Sequence, residues 1–248
     1  MEQTVIHTNQ ASLPKHNSEF MTQIEYGTVV KHPQVNFWHA RFDLSHYHDE
    51  LFEQLNLPFP ATLAKAVNKR RAEYLAARYC ARQLLAQLGQ PEFNLLSGHD
   101  RAPIWPKDIC GSVSHSSHCA IVLAAPQTDN RLIGVDIEAI VNRQNMDEIT
   151  KMIVNDREIQ LLKHCHLPFE QAFTLAFSVK ESLYKALYPQ IKRSLALKRL
   201  KITALSLENN AITLSIAGKT LTPHYPAGTV FHGQFIIYPQ EILTLIIQ

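Results

Sequence analysis

Apolar residues recur at helical spacing from Ala61 to Leu88, with Pro60 before the run and Gly89 after it as a stop, so the spacing predicts a helix there. A β-prone run, "CAIVLAA" from Cys119, follows the short string "GSVSH". A second strand is expected at Ile133–Ile137, after a polar turn at 127–130. Two further helical segments are predicted at Asp147–His164 and Phe169–Tyr188, broken near Leu167 and Pro168. The last fifty residues alternate as strands at Leu200–Leu207, Ala211–Ile216, Gly233–Tyr238 and Ile242–Ile247. Residues 91–106 read as a loop containing "GHDRAPIWP". Residues 1–60 give only one clear strand, near Val35–Phe42. Helix followed by strands thus occurs twice, before and after about residue 130, which predicts an α+β fold of two similar halves, 1–130 and 131–248.

Composition adds little to this picture, but charge placement adds more. The 248 residues are 46% hydrophobic with a net charge of +2, as expected of one large or two small globular domains. The charge is uneven: the 61–90 helix carries Lys65, Lys69, Arg70, Arg71, Arg78 and Arg82 against the single acid Glu73. A second basic stretch runs from Lys185 to Lys201 with no acid at all. Such surfaces attract phosphates or acidic proteins. Four cysteines without C-x-x-C spacing are expected as thiols in a reducing compartment rather than as disulfides or a zinc site. No signal sequence or membrane span is visible, so a cytoplasmic location is expected.

Two short strings hold the candidate chemistry. In "GVDIE" a strand would project Asp136 and Glu138 from one face, with Val135 and Ile137 behind them. Paired carboxylates repel unless a cation or basic partner lies between them, and hard oxygen donors suit Mg²⁺. Taken alone, this string is more simply explained as an edge strand ending in a solvated acidic turn. In "FSVKESLYKAL" the residues Glu181 and Lys185 are a favourable i,i+4 helix pair, yet their neighbours are apolar or aromatic, which suits a cleft better than a solvated face. A metal-dependent nuclease pattern is excluded, because Glu138 is followed by Ala139 and Ile140 and the Lys180–Glu181 order is reversed. His118, His46 and His48 lack partners at metal-ligand spacing and read as packing or solvated residues.

Together, "GSVSH", "GVDIE" and "FSVKESLYK" resemble the phosphopantetheinyl transferase superfamily. Its two signatures, a G-[VI]-D-[IV]-E strand and a [WF]-[ST]-x-K-E-[SA]-x-x-K helix, are matched here about forty residues apart. "RAPIWP" and the helix "KRRAEYLAARYCAR" resemble the subgroup typified by enterobactin synthase component D. The likeness covers about Ala61–Leu187.

The resemblance implies a monomeric enzyme, a pseudo-dimer of two α+β halves with its active site in the cleft between them. Such an enzyme moves 4′-phosphopantetheine from coenzyme A to a serine of an acyl or peptidyl carrier protein and releases adenosine 3′,5′-bisphosphate. It implies Asp136, Glu138 and Glu181 as ligands of Mg²⁺, with Mn²⁺ as the alternative ion. It further implies Glu181 as base for the serine hydroxyl, directly or through one water, with Lys180 neutralising charge on the departing side. Lys180, Lys185, Ser114 and His115 would contact coenzyme A phosphates. Arg70, Arg78 and Arg101 would clamp the nucleotide end, Arg71 being the register alternative to Arg70. The basic, partly apolar stretch 186–201 is expected to dock the carrier beside Glu181. A non-catalytic binder would not need three carboxylates, and no nucleic-acid-binding module is visible.

Overall fold

Alternating apolar positions build two antiparallel sheets of five strands each. The computed structural model describes residues 4–14, 19–128, 131–143 and 146–248, with Asp147 and Glu148 described by backbone only. The expected turn at 127–130 and the expected boundary at residue 130 lie partly outside these. The chain divides into two compact units, one of Ile6–Asp129 and one of Asn130–Gln248 together with Met1–Val5.

In the first unit, β1 (Ile6–Gln10), β2 (Met21–Val29) and β3 (His32–Phe42) form a meander. After the one-turn helix α1 (Leu51–Gln54) and the long helix α2 (Asn68–Gln87), the hairpin of β6 (Ile109–His115) and β7 (Cys119–Pro126) completes the sheet in the order β1-β2-β3-β7-β6. A two-residue-per-strand hairpin, β4 (Leu96–Ser97) with β5 (Pro103–Ile104), interrupts the expected loop. The first sixty residues therefore supply three of the five strands. β2 conceals itself because most of its positions are only half-buried, which blurs the period-2 signal.

Helix α2 starts at Asn68, not at Ala61. Residues Ala61–Leu63 form a 3₁₀ turn instead, and Arg71 holds it by donating from Nε to the Leu63 carbonyl and from Nη2 to the Ala64 carbonyl. Small residues, among them Ala72, Ala76, Ala77 and Ala81, let α2 lie close on β3 and β7, with Leu75, Leu84 and Leu85 fully buried. Gly89, at φ +82°, takes the left-handed conformation that ends the helix.

The second unit holds β8 (Ile133–Ala139), then α3 (Met146–Ile153), α4 (Asp156–Lys163) and α5 (Phe169–Ile191), then the meander β9 (Leu200–Ser206), β10 (Ala211–Ile216), β11 (Val230–Ile237) and β12 (Glu241–Ile247). Its sheet order is β8-β12-β11-β10-β9. The single helix expected over Asp147–His164 is two. Asn155 breaks it, because its side chain accepts from the Glu158 amide while Glu158 accepts from the Asn155 amide, a reciprocal cap that starts α4 afresh. Each unit is thus a five-stranded antiparallel sheet covered by one long helix, an α+β fold of two similar halves with different strand connectivity.

Helix α5 buries the stripe Ala172, Leu175, Ala176, Val179, Leu183 and Ala186 against its sheet. Polar contacts pin the same face: Ser178 Oγ and Ser182 Oγ lie 2.9 and 2.7 Å from Thr244 Oγ1 on β12. Strand β8 has no room for a side chain here. A Cβ on Gly134 would fall 1.9 Å from the Ser182 carbonyl oxygen. Gly134→Ala is therefore expected to push α5 off β8 and to lower Tm by about 4–10 °C. Thermal unfolding followed by circular dichroism tests this, and an unchanged Tm would mean that the close approach carries no weight.

Candidate active site

The close approach at Gly134 fixes where the neighbouring carboxylates point. Gly134 faces α5, so by alternation Asp136 and Glu138 face it too, opposite Thr244 and Ile242 of β12. Asp136 is 2% exposed, and Lys185, one turn beyond Glu181 on α5, places Nζ 2.7 Å from its Oδ1 and 3.2 Å from the Val135 carbonyl. Glu181 completes the group electrostatically. Burial raises its carboxyl above the ordinary 4.5, Lys185 pulls it down, and Asp136 pushes it up. The structure thus gathers Asp136, Glu181 and Lys185, with Glu138 on the same strand face.

Among the described residues, no three His, Cys, Asp or Glu side chains already converge as a metal cage. The cation now on Asp136 is the Lys185 ammonium. The donor set, three carboxylates from one strand face and the helix packed on it, nonetheless fits a hard divalent ion in its chemistry.

Lys180 is turned away from this group. One residue before Glu181, and so about 100° around the helix, its side chain is 0% exposed. Its Nζ lies 2.7 Å from Glu158 Oε1 and donates to the Ile153 carbonyl at 2.7 Å. Burial lowers the ammonium's pKa and the Glu158 charge opposes that shift. Nothing in the spacing of the two signatures singles out Glu158. Its only sequence signal is the Asn155-x-x-Glu158 cap.

The first unit presents a basic counterpart along α2, where Arg70, Tyr74 and Arg78 follow at i, i+4 and i+8. The Arg78 guanidinium lies 4.4 Å over the Tyr74 ring and donates from Nη2 to Ser97 Oγ at 2.8 Å, while its buried Nε has no hydrogen-bond partner among the described residues. It lines a small pocket with Leu57, Tyr74, Arg82, Asn94 and Leu96. Arg70 places Nη1 2.5 Å from His115 Nε2 and 3.5 Å from Glu73 Oε2, and His115 Nδ1 is 3.4 Å from the same Glu73 oxygen. The network assigns the imidazole its tautomer, with Nδ1–H toward Glu73 and Nε2 accepting from Arg70. Glu73, the lone acid of a basic helix, is the partner that sequence reasoning left without a role. Burial raises its carboxyl, and Arg70 and Lys69 oppose that.

Geometry also separates Arg70 from Arg71: the latter is engaged with Asp49 Oδ2 at 2.6 Å and with the 3₁₀ turn. Ser114 and His115 part company, since neighbours on a strand face opposite ways. His115 pairs with Ala120 on the α2 face, and Ser114, 3% exposed, points to the other. Arg101 sits in the β4–β5 turn at φ +66°. In the stretch 186–201 the apolar residues turn inward: Leu187 and Ile191 are buried and Leu195 and Leu197 pack on the same core. Lys192, Arg193 and Lys198 remain at the surface, with Arg193 donating to the Leu221 carbonyl and Lys198 to that of Lys151. His46, His48 and His118 are exposed, the first two beside Glu19 and Glu50.

Comparison with known proteins identifies the family. Residues 59–125 match the model of the 4′-phosphopantetheinyl transferase N-terminal domain, and residues 132–236 that of the 4′-phosphopantetheinyl transferase superfamily. Enterobactin synthase component D of Salmonella typhi is 35% identical over 173 residues, 70% of either chain. The Escherichia coli O157:H7 protein of the same name is 38% identical over 147 residues, 59% of this chain and 68% of the relative. The 4′-phosphopantetheinyl transferase Npt of Nocardia iowensis is 34% identical over 194 residues, 74% of this chain and 85% of its own. The chain belongs to the 4′-phosphopantetheinyl transferase superfamily, and is an enzyme that transfers phosphopantetheine to carrier proteins.

Proposed function

We propose that this enzyme moves 4′-phosphopantetheine from coenzyme A to a serine of a carrier protein in a Mg²⁺-dependent reaction and releases adenosine 3′,5′-bisphosphate. The observation that carries this reading is the meeting of Asp136, Glu181 and Lys185 where α5 presses on β8. Asp136, Glu138 and Glu181 would hold the ion, which would neutralise the pyrophosphate oxygens when bound. Mn²⁺ would satisfy the same donors.

The residues of the chain do the rest. Glu181, whose carboxyl is raised by burial, accepts the serine proton as the serine oxygen attacks the phosphorus nearest the pantetheine. The bond to the nucleotide-side phosphate oxygen breaks, and Lys185 neutralises charge on the pyrophosphate. Arg70, Arg78 and His115 receive the nucleotide-end phosphates. Arg78 is pre-set for an anion by its stacking on Tyr74 and its unfilled Nε. Arg101 and Ser114 contribute at the turn and from the far sheet face. The carrier, acidic around its acceptor serine, meets the exposed Lys192, Arg193 and Lys198. The names of the relatives favour a carrier domain of siderophore synthesis, and the enzyme would act as a monomer in the cytoplasm.

Incubation with coenzyme A, Mg²⁺ and a panel of apo-carriers is the direct test, read as a gain of about 340 Da on the carrier, the mass of the transferred arm. No gain on any carrier, at carrier and coenzyme A concentrations that saturate related transferases, would overturn the reading.

Four variants divide the roles. Asp136→Asn and Glu181→Gln should each lower kcat by about 10²–10⁴-fold, with folding retained by circular dichroism. Near-normal turnover at saturating Mg²⁺ would remove the carboxylates from the mechanism. Arg78→Ala should weaken coenzyme A binding while leaving 3′-dephospho-coenzyme A almost unaffected. Equal losses for both ligands would take Arg78 off the 3′-phosphate.

The fourth variant is Glu73→Gln. Because the Glu73 carboxyl is raised above 4.5 in the native state, the stability it contributes is complete below about pH 4.5. That contribution is lost as the pH rises through the native value. Glu73→Gln does not titrate, so its Tm relative to wild type should climb between about pH 4 and pH 7. Coenzyme A affinity should fall by about fivefold as His115 and Arg70 lose their common carboxylate charge. A flat Tm difference across that range would mean Glu73 titrates normally.

A further inference from the structure

Lys180 stands inside the signature helix between a core residue, Val179, and the proposed base, Glu181, yet its ammonium is sealed from solvent. Its carboxylate partner, Glu158, is 1% exposed and has its acceptor sites filled from three directions. Oε1 takes Lys180 Nζ at 2.7 Å and the Ile202 amide of β9 at 2.9 Å. Oε2 takes the Asn155 amide at 2.9 Å and the Asn155 side-chain amide at 2.6 Å. Lys180 adds a bond of 2.7 Å to the carbonyl of Ile153, the last residue of α3. The end of α3, the start of α4, strand β9 and helix α5 therefore meet at one buried ion pair.

A lysine that binds phosphate keeps its ammonium at the surface on a mobile stem. Withdrawing Lys180 to reach a ligand would strand the Glu158 charge in the interior and leave the Ile153 carbonyl without its donor, a costly exchange. The geometry suits another task. Because successive residues on a helix are about 100° apart, fixing the azimuth of Lys180 fixes that of Glu181. We propose, resting on the function argued above, that Lys180 is a positioning residue. Through its buried pair with Glu158 it locks the rotation of α5, so that Glu181 faces Asp136, and it touches neither coenzyme A nor the acceptor serine.

The test uses the full chain, wild type and two variants, Lys180→Met and Lys180→Met/Glu158→Gln. Four quantities are read: Tm, coenzyme A Kd by calorimetry without carrier, kcat, and the Mg²⁺ concentration for half-maximal rate. In Lys180→Met, Tm should drop, kcat should fall about 10–100-fold, and half-saturating Mg²⁺ should rise by a similar factor, as for other residues that orient a ligand. Coenzyme A Kd should stay within about twofold of wild type, since no contact with that ligand is lost. The double variant no longer buries an unpaired charge and should recover Tm, most of the Mg²⁺ affinity and about tenfold in kcat.

A merely stabilising pair would leave the Mg²⁺ dependence of the folded enzyme unchanged, which would overturn the proposal. So would a coenzyme A Kd weakened tenfold or more in both variants, the mark of a phosphate ligand. Recovery of Tm without recovery of kcat would also overturn it, by assigning Lys180 to the chemistry itself. Should Lys180→Met not fold, the double variant alone decides between these outcomes. If wild type neither binds coenzyme A nor modifies a carrier, the functional reading fails. The Tm coupling of Lys180 to Glu158 still reports on the pair itself.

Discussion

The second unit depends on one contact between two backbones, the Ser182 carbonyl of α5 against Gly134 of β8. A helix and a strand normally stand apart by the depth of their side chains. Here glycine removes that depth, and Ser178, Ser182 and Thr244 supply short hydrogen bonds in place of bulky packing. The consequence is register. With α5 seated this closely, residues spaced by two along β8 and by four along α5 must confront one another. Asp136 therefore meets Lys185, and Glu181 feels both charges. The glycine of the first signature and the serine of the second are thus two sides of one joint, and the charged residues between them are placed by it.

This joint explains why so much of the second unit was legible in the sequence. A strand's period of two put Asp136 and Glu138 on one face, and apolar neighbours such as Ala172, Leu175 and Leu183 marked the helix that bears Glu181 as packed. Signals that depend on tertiary partners were not legible. Lys180 and Glu181 look like equal members of a charged pair in the string. Only the position of Glu158, 22 residues earlier and capping a helix of its own, turns one inward and leaves the other at the site. The split of α3 from α4, by contrast, rests on a local signal, the Asn155-x-x-Glu158 cap, which the longer helical pattern around it masked. In the first unit, β1 escaped detection because nearly all of its positions are exposed, and β2 because most of its positions are half-buried, so neither shows clean alternation. The opposed directions of Ser114 and His115 needed the sheet's register, although strand alternation alone would have signalled that both could not face α2.

The two units also treat excess charge in complementary ways. On β8 and α5 an acidic group is held by one resident cation, Lys185. On α2 and β6 a basic group is held by one resident anion, Glu73. Like charges gathered without such counter-ions would repel and splay, so each cluster needs an internal partner to exist before any ligand arrives. Burial decides how firmly that partner is kept. Lys180 and Glu158 are sealed together and fully hydrogen-bonded, which suits a permanent structural tie. Lys185 is 28% exposed on its side chain, and the Glu73 carboxyl is raised toward its neutral form by burial. Lys185 is thus open to exchange in a way that the sealed Lys180 is not. On the proposed reading Asp136 would pass from Lys185 to a divalent ion, and the Lys185 ammonium would be left for the pyrophosphate. The gradient from sealed pair to exchangeable pair is then what separates the residues that shape the site from those that work in it.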